Sequence, residues 1–339
     1  MNTRRGVVVA LGAGAFAAPQ TLFAQQPSKV WRVGFLNLLT IPLLAQGKAS
    51  YAIFVDTLAE LGYVERKNLL MELRVADGKP ERLPELAAEL VRLNVDVIFC
   101  NSGTALAAKR ATTTVPIVFA NTFDPVAFGL VASLSRPGAN ITGISNGLED
   151  TGGKNMEYLL AVVPKLARVA LLWAAGTQGS TGSAGSSPVP SYIAHTQAAA
   201  RKAGVEVTAY EASTPTLVEA AFGTMARDRC GALLVMPGPF LTGQASQITG
   251  LAAKYQLPAL FTHAAYMAAG GLMSYGPKLE EIYRQAARQV DKILKGAKPA
   301  DIPVEQPNEF ELIVNTKVAK ALGRSFPQSL LVRATNVAE

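Results

Sequence analysis

The chain has few side chains suited to covalent or metal chemistry and several suited to holding a small polar molecule. Its 339 residues include 2 His and 2 Cys. A structural or catalytic zinc site needs three or four such ligands close together, so no metal centre and no cofactor are expected. Gly143-Ile144-Ser145-Asn146-Gly147 fits the G-x-S-x-G pattern of a nucleophilic serine. That pattern works only on a strand, a sharp turn and an immediate helix. Here Leu148-Glu149-Asp150-Thr151-Gly152-Gly153 follows and reads as a loop, and His263 is a distant candidate base. A serine hydrolase using Ser145 is the lesser alternative, and the chain is not expected to be an enzyme. A GxxxxGK[ST] phosphate loop is absent: Lys154 precedes Asn155, and Leu148 stands where the first glycine belongs.

The binding candidates sit where apolar runs end. Asn101-Ser102-Gly103-Thr104 lies between VDVIFC and a helical stretch. A helix N-terminus offers free N–H groups and the positive end of a dipole, suited to a carboxylate. Gly103 permits close approach, and Ser102 and Thr104 add hydroxyl donors. The plain alternative is a helix cap. Asn37 closes the first apolar run in the same way. Asp124 follows the fourth run and could accept from a solute's ammonium or cap the helix starting at Pro125. Trp173 could stack on an apolar solute or be buried with its N–H satisfied. Pro237-Gly238, Thr262-His263 and Tyr275 occupy corresponding positions further on. His195 reads as a surface or packing residue.

The elements that must position these residues alternate. Arg32–Leu38, Leu69–Val75, Val95–Cys100 and Pro116–Ala120 read as strands. Between and after them, Gln46–Leu61, Glu81–Leu93, Thr104–Ala111 and Asp124–Leu134 read as helices. A second series follows Ile141–Ser145. Its strands are Arg168–Trp173, Glu206–Tyr210, Ala232–Met236, Pro258–Phe261 and Leu272–Tyr275. Its helices are Gly153–Val163, Tyr192–Ala203, Leu217–Met225 and Thr242–Lys254. Leu279, Ile282, Ala286, Val290 and Ile293 then mark a long amphipathic helix, with Glu280–Arg284 and Asp291–Lys295 at i,i+4. Short apolar strands alternating with helices predict parallel sheets covered on both faces, and two series predict two lobes. Gly176–Ser187 is rich in Gly and Ser and reads as a loop at a strand's carboxyl end. Parallel sheets bind ligands at those ends.

Residues 1–24 have the signal-peptide pattern: Arg4-Arg5, an apolar run from Gly6 to Ala18, and a small residue, Ala24, at the expected cleavage point. Removing this segment takes the net charge from +7 to +5. The remaining basic residues are dispersed, so nucleic acid is not an expected partner. Cys100 and Cys230 fall in different series and are expected to be unpaired thiols.

Three stretches carry a family resemblance: LAELGYVERKNLLMELRVADGKPERLPELAAELVRLNVDVIF (58–99), TALAAKRATTTVPIVFANTFDPVAFGLVASLSRPGANITGIS (104–145) and GGLMSYGPKLEEIYRQAARQVDKILKGAKPADIPVEQPNEFELIVNTKVAKALG (270–323). Together they resemble the substrate-binding proteins of ABC transporters, in the group with tryptophan- and tyrosine-binding members. The resemblance implies an α/β fold of the type I periplasmic-binding kind, two doubly wound parallel-sheet lobes joined by three crossing segments. The crossings would be Ile141–Asn146, Leu272–Pro277 and Ile302–Gln306. Lobe 1 would hold 28–143 plus 276–301, and lobe 2 would hold 144–274 plus 302–339. It also implies a periplasmic monomer that captures a small solute and delivers it to a cognate inner-membrane ABC permease. An amino acid, aromatic or branched, or a related carboxylate is the first expectation. A sensing protein that docks on a membrane receptor is the alternative.

Overall fold

The computed structural model describes residues 29–38, 48–148, 151–174 and 189–338. The signal-like segment 1–24 and the whole Gly/Ser-rich stretch 176–187 lie outside them. Among the described residues no helix is long and apolar enough to cross a membrane.

The first sheet has five parallel strands in the order β2-β1-β3-β4-β5: β1 (Trp31–Asn37), β2 (Leu69–Val75), β3 (Val97–Asn101), β4 (Ile117–Thr122) and β5 (Ile141–Ser145). Side chains alternate between the faces of a strand, and here both faces are buried. On one face Val33, Phe35 and Phe99 pack with Phe54 and Leu58 of α1 (Lys48–Glu60). On the other, Leu36, Ile98 and Phe119 pack with α2 (Leu83–Arg92) and α3 (Ser102–Ala111). This double burial is why these strands read as apolar runs.

The second sheet has seven strands in the order β12-β11-β10-β9-β8-β6-β7. They are β6 (Arg168–Trp173), β7 (Glu206–Glu211), β8 (Ala232–Val235), β9 (Ala259–Phe261), β10 (Met273–Pro277), β11 (Phe310–Asn315) and β12 (Asn336–Ala338). One face is covered by α4 (Gly152–Val162) and α5 (Val189–Lys202), through Met156, Leu159 and Tyr192. The other is covered by α6 (Pro215–Arg227), α7 (Pro239–Gly243), α8 (Ala245–Lys254) and α9 (Ala265–Ala268), through Phe222, Ile248 and Tyr266.

After β10 the chain forms α10 (Leu279–Leu294), which buries Ile282, Ala286, Val290 and Ile293 against the first sheet and α1. Both expected i,i+4 ion pairs form on it, Arg284 with Glu280 at 2.9 Å and Lys295 with Asp291 at 2.8 Å. Residues 302–305 then run along β5. Ser145 N–H donates to the Glu305 carbonyl at 2.9 Å, and Glu305 N–H donates to the Gly143 carbonyl at 3.1 Å. The chain re-enters the second sheet at Phe310, opposite Pro277, where β10 left it. Leaving and returning at one edge forces β11 antiparallel to β10, the one reversal among the strand pairs described. The chain ends through α11 (Thr316–Ala321), α12 (Gln328–Leu331) and β12. Arg333 fastens this end to α4 by pairing with Glu157 and donating to the Tyr158 hydroxyl at 3.1 Å.

One local expectation is corrected. Asp124–Leu134 is not a helix. Phe128 N–H reaches the Asp124 carbonyl at 3.1 Å, but left-handed backbone at Asp124 (φ 35°) and Gly129 (φ 67°) confines the segment to a turn. The region after α10 carries β11, α11, α12 and β12, none of which the periodicity announced.

Candidate ligand-binding site

In a doubly wound sheet the strand order reverses at one point, and the crevice at the carboxyl ends there is the usual ligand site. In the first sheet that point lies between β1 and β3, and in the second between β6 and β8. Asn37 ends β1 and Asn101 ends β3. Trp173 ends β6, and Gly238 follows β8 as the residue before α7. Four of the sequence candidates therefore occupy the two switch points.

At the first switch point the structure brings three candidates together. Asn37 is 3% exposed, and its Nδ2 donates to Asn101 Oδ1 at 3.4 Å. Asn101 Nδ2 donates to the Tyr283 hydroxyl of α10, also at 3.4 Å. Thr104 Oγ1 accepts from Asn101 N–H at 3.2 Å and donates to the Leu36 carbonyl at 3.0 Å. Its hydroxyl is a helix cap that ties α3 to β1. Ser102 and Gly103 form the first turn of α3. A Cβ built on Gly103 meets nothing within 4 Å, so no steric demand of the fold selects glycine there. Asp124 acts as a turn cap, its Oδ1 accepting from Ala127 N–H at 2.9 Å.

The second sheet presents its candidates along one edge. Trp173 is half-buried and packs on the sheet's core. His263 follows β9, and its Nδ1 accepts from Ala265 N–H at 3.1 Å. That bond needs an unprotonated Nδ1, and burial pushes the imidazole pKa below its ordinary value. Ser274 pairs with Phe261, so Tyr275 is level with Thr262. The Tyr275 ring is held between Tyr158 (5.0 Å, 72°) and Phe310 (5.5 Å, 30°). Its ring belongs to this aromatic cluster, and burial raises its pKa. His195 is exposed on α5.

The two edges meet through residues that the sequence reading did not single out as ligand contacts. Phe123, directly beyond β4, is fully buried within the core cluster of the second sheet. Its ring stands edge-on to Tyr192 of α5 at 5.2 Å. Beside it, the buried Thr122 Oγ1 has no hydrogen-bond partner among the described residues, and neither has Asn155 Oδ1 on α4. The signal for Asn155 was its place on the apolar face of its helix, in step with Leu159 and Val162. Thr122 had no signal beyond ending a strand.

Ser145 is not a nucleophile elbow. It ends β5, is fully buried, and its Oγ accepts from Gly147 N–H at 3.0 Å. The next described α-helix begins only at Gly152. His263 lies on the other sheet.

An open groove of about 540 Å³ runs between α4 and α5, lined by Gly152, Gly153 and Glu157 on one side and His195 and Lys202 on the other. Its carboxylate, Glu157, is already held by Lys154 and Arg333.

The profile of the ABC transporter substrate binding protein family matches residues 46–338. The chain belongs to that family. This substrate-binding protein is 25% identical over 291 residues to a tyrosine-binding protein of Clostridioides difficile strain R20291, covering 86% of this chain and 80% of the relative. Its fold is similar to that of a conserved domain protein of Vibrio cholerae O1 biovar El Tor, with a TM-score of 0.80, 26% identity, and 91% and 100% of the two chains covered. It also resembles an ABC domain from Streptococcus pneumoniae in complex with L-Trp, with a TM-score of 0.79, 23% identity, and 91% and 99% covered. Members of this family bind a substrate and do not transform it. A substrate-binding protein needs no nucleophile, in keeping with the engaged Ser145.

Proposed function

We propose that the protein is the periplasmic solute receptor of an ABC import system and that its solute is an amino acid, aromatic in the first instance. Lobe 1 is built on the five-stranded sheet and lobe 2 on the seven-stranded sheet, with the crossings near 141–146, 272–277 and 302–306 as the hinge. The solute lies between the two carboxyl edges. The N-terminus of α3 with Asn37, Asn101 and Ser102 faces it from one side, and the edge formed by Trp173, Gly238 and His263 faces it from the other. Contacts to both lobes favour the closed form, which an inner-membrane permease then engages. Residues 1–24 direct export and are removed near Ala24.

The observation that carries this reading is the pairing of Asn37 with Asn101 at the switch point, next to a helix N-terminus, in a chain related to a tyrosine-binding protein. A thermal-shift screen of the purified protein over the amino acids and a set of organic acids tests it. A solute at 100 times its dissociation constant adds about 2.7 kcal/mol of stability. Tyrosine or tryptophan is expected to give the largest shift. Shifts confined to solutes without a carboxylate would refute the assignment.

A further inference from the structure

We infer that Asn155 and Thr122 receive the solute's ammonium group, one from each side of the crossing between the sheets. The inference rests on the amino-acid reading above and adds to it the residues that recognise the amine.

Buried acceptors and donors are nearly always paired, and an orphan calls for an unseen partner. Asn155 is completely buried, and its Oδ1 has no partner among the described residues. The orientation of its amide follows from its neighbours. The Thr151 hydroxyl has one proton, which it donates to the Leu148 carbonyl at 2.8 Å. Toward Asn155, Thr151 Oγ1 must therefore accept, and Asn155 Nδ2 donates to it at 3.2 Å. This fixes the unpaired atom as the carbonyl oxygen, an acceptor that only a donor can satisfy.

Thr122 ends β4, is fully buried, and has an equally unpaired Oγ1. The two residues are joined by a continuous hydrogen-bonded path. The Thr122 carbonyl accepts from Asn146 N–H at 2.9 Å, Asn146 Oδ1 accepts from Leu148 N–H at 3.2 Å, and Leu148 leads to Thr151 and Asn155 as above. The path runs from a carboxyl end in the first sheet to the first turns of α4. A helix that precedes a parallel strand runs against it, so the start of α4 lies at the carboxyl edge of β6. Both orphan atoms thus sit at the edges between which the solute is placed, with Phe123 and Tyr192 packed alongside. An ammonium brings three donors and a positive charge. The carboxylate of Asp124, two residues beyond Thr122, favours a cation over a neutral hydroxyl.

Isothermal titration of the full chain tests this, with L-tyrosine and L-tryptophan against 3-(4-hydroxyphenyl)propionate and indole-3-propionate, which lack the amine. Wild-type protein should prefer the amino acids at least 100-fold. Asn155→Leu and Thr122→Val should each weaken amino-acid binding tenfold or more and leave the des-amino acids within threefold. Asn155→Asp, which keeps the acceptor, should retain the preference. If Asn155→Leu does not fold, Thr122→Val and Asn155→Asp decide alone. Variants that melt like wild type and bind amino acids unchanged would overturn the inference and assign the orphan atoms to buried water, with the solute reading intact. Wild-type protein that binds neither amino acid overturns both, and the wild-type titration alone reveals that case.

Discussion

The ring of Phe123 meets the ring of Tyr192 edge-on, with centroids 5.2 Å apart and planes at 72°. One residue follows the last position of a strand in the first sheet, and the other belongs to a helix covering the second. Both are essentially inaccessible to solvent. Phe123→Ala removes this contact and leaves a cavity between the sheets. Loss of a buried phenylalanine side chain costs about 3–5 kcal/mol. Urea unfolding followed by circular dichroism should show a loss of that size, and a loss below about 1 kcal/mol would mean that the contact is incidental.

The two hydroxyls at the start of α3 should separate cleanly. Thr104 caps the helix and holds the Leu36 carbonyl. Thr104→Ala should lower stability by about 1–2 kcal/mol, the usual cost of a lost cap, and Thr104→Ser should restore most of it. Ser102→Ala should leave the melting temperature unchanged and weaken solute binding. Equal effects of the two substitutions on stability would remove Ser102 from the proposed site.

His263 gives stability a pH dependence of known sign. Burial holds its folded-state pKa below the ordinary value near 6.5. Between the two values the unfolded chain binds more protons, so stability rises with pH. The contribution is complete above pH 6.5 and is lost as pH falls through that value toward the folded-state pKa. Protonation also breaks the bond from Ala265 N–H. Melting temperatures recorded from pH 8 to pH 5 should fall at the acid end. His263→Asn should flatten the part of that slope nearest pH 6, and an unchanged slope would count against this account.

Cys100 is buried in β3, and burial pushes its thiol pKa well up. Cys230 is half-buried before β8, and its Sγ lies 3.4 Å from the Tyr210 hydroxyl. Under native conditions iodoacetamide should label Cys230 slowly and Cys100 more slowly still. Denatured but unreduced protein should take two labels by mass spectrometry. An unlabelled species two hydrogens lighter would show a disulfide.

A Cβ at Gly276 would lie 2.3 Å from the Thr262 carbonyl oxygen. Gly276→Ala must push β10 away from the end of β9. A loss of about 3 kcal/mol or more is expected in chemical denaturation, at the upper end of overpacking costs.

The strands that the sequence showed plainly are those buried on both faces, such as β1 and β3, because double burial writes a run of apolar residues. α10 was legible because its apolar residues recur at helical spacing over four turns. β11 is half exposed and β12 has three residues, so neither leaves such a run. Asp124–Leu134 has helix-like spacing, but its backbone turns left-handed at two positions, which spacing does not encode. In the site, the position at the strand ends was readable. Which hydroxyl is free was not. Thr104 and Thr122 are the same residue type in similar places, and the difference is the Leu36 carbonyl, 68 residues from Thr104 in the chain.

The placement of α10 also sets an order of assembly. Tyr63 donates to Asp291, 228 residues later, and the face of the first sheet carrying Val33, Phe35 and Phe99 is closed by Ile282, Ala286 and Val290. While the chain is being synthesised, that face has only α1 as its cover until five of the seven strands of the second sheet have emerged. A nascent chain of this design leaves its first core unfinished for most of its translation.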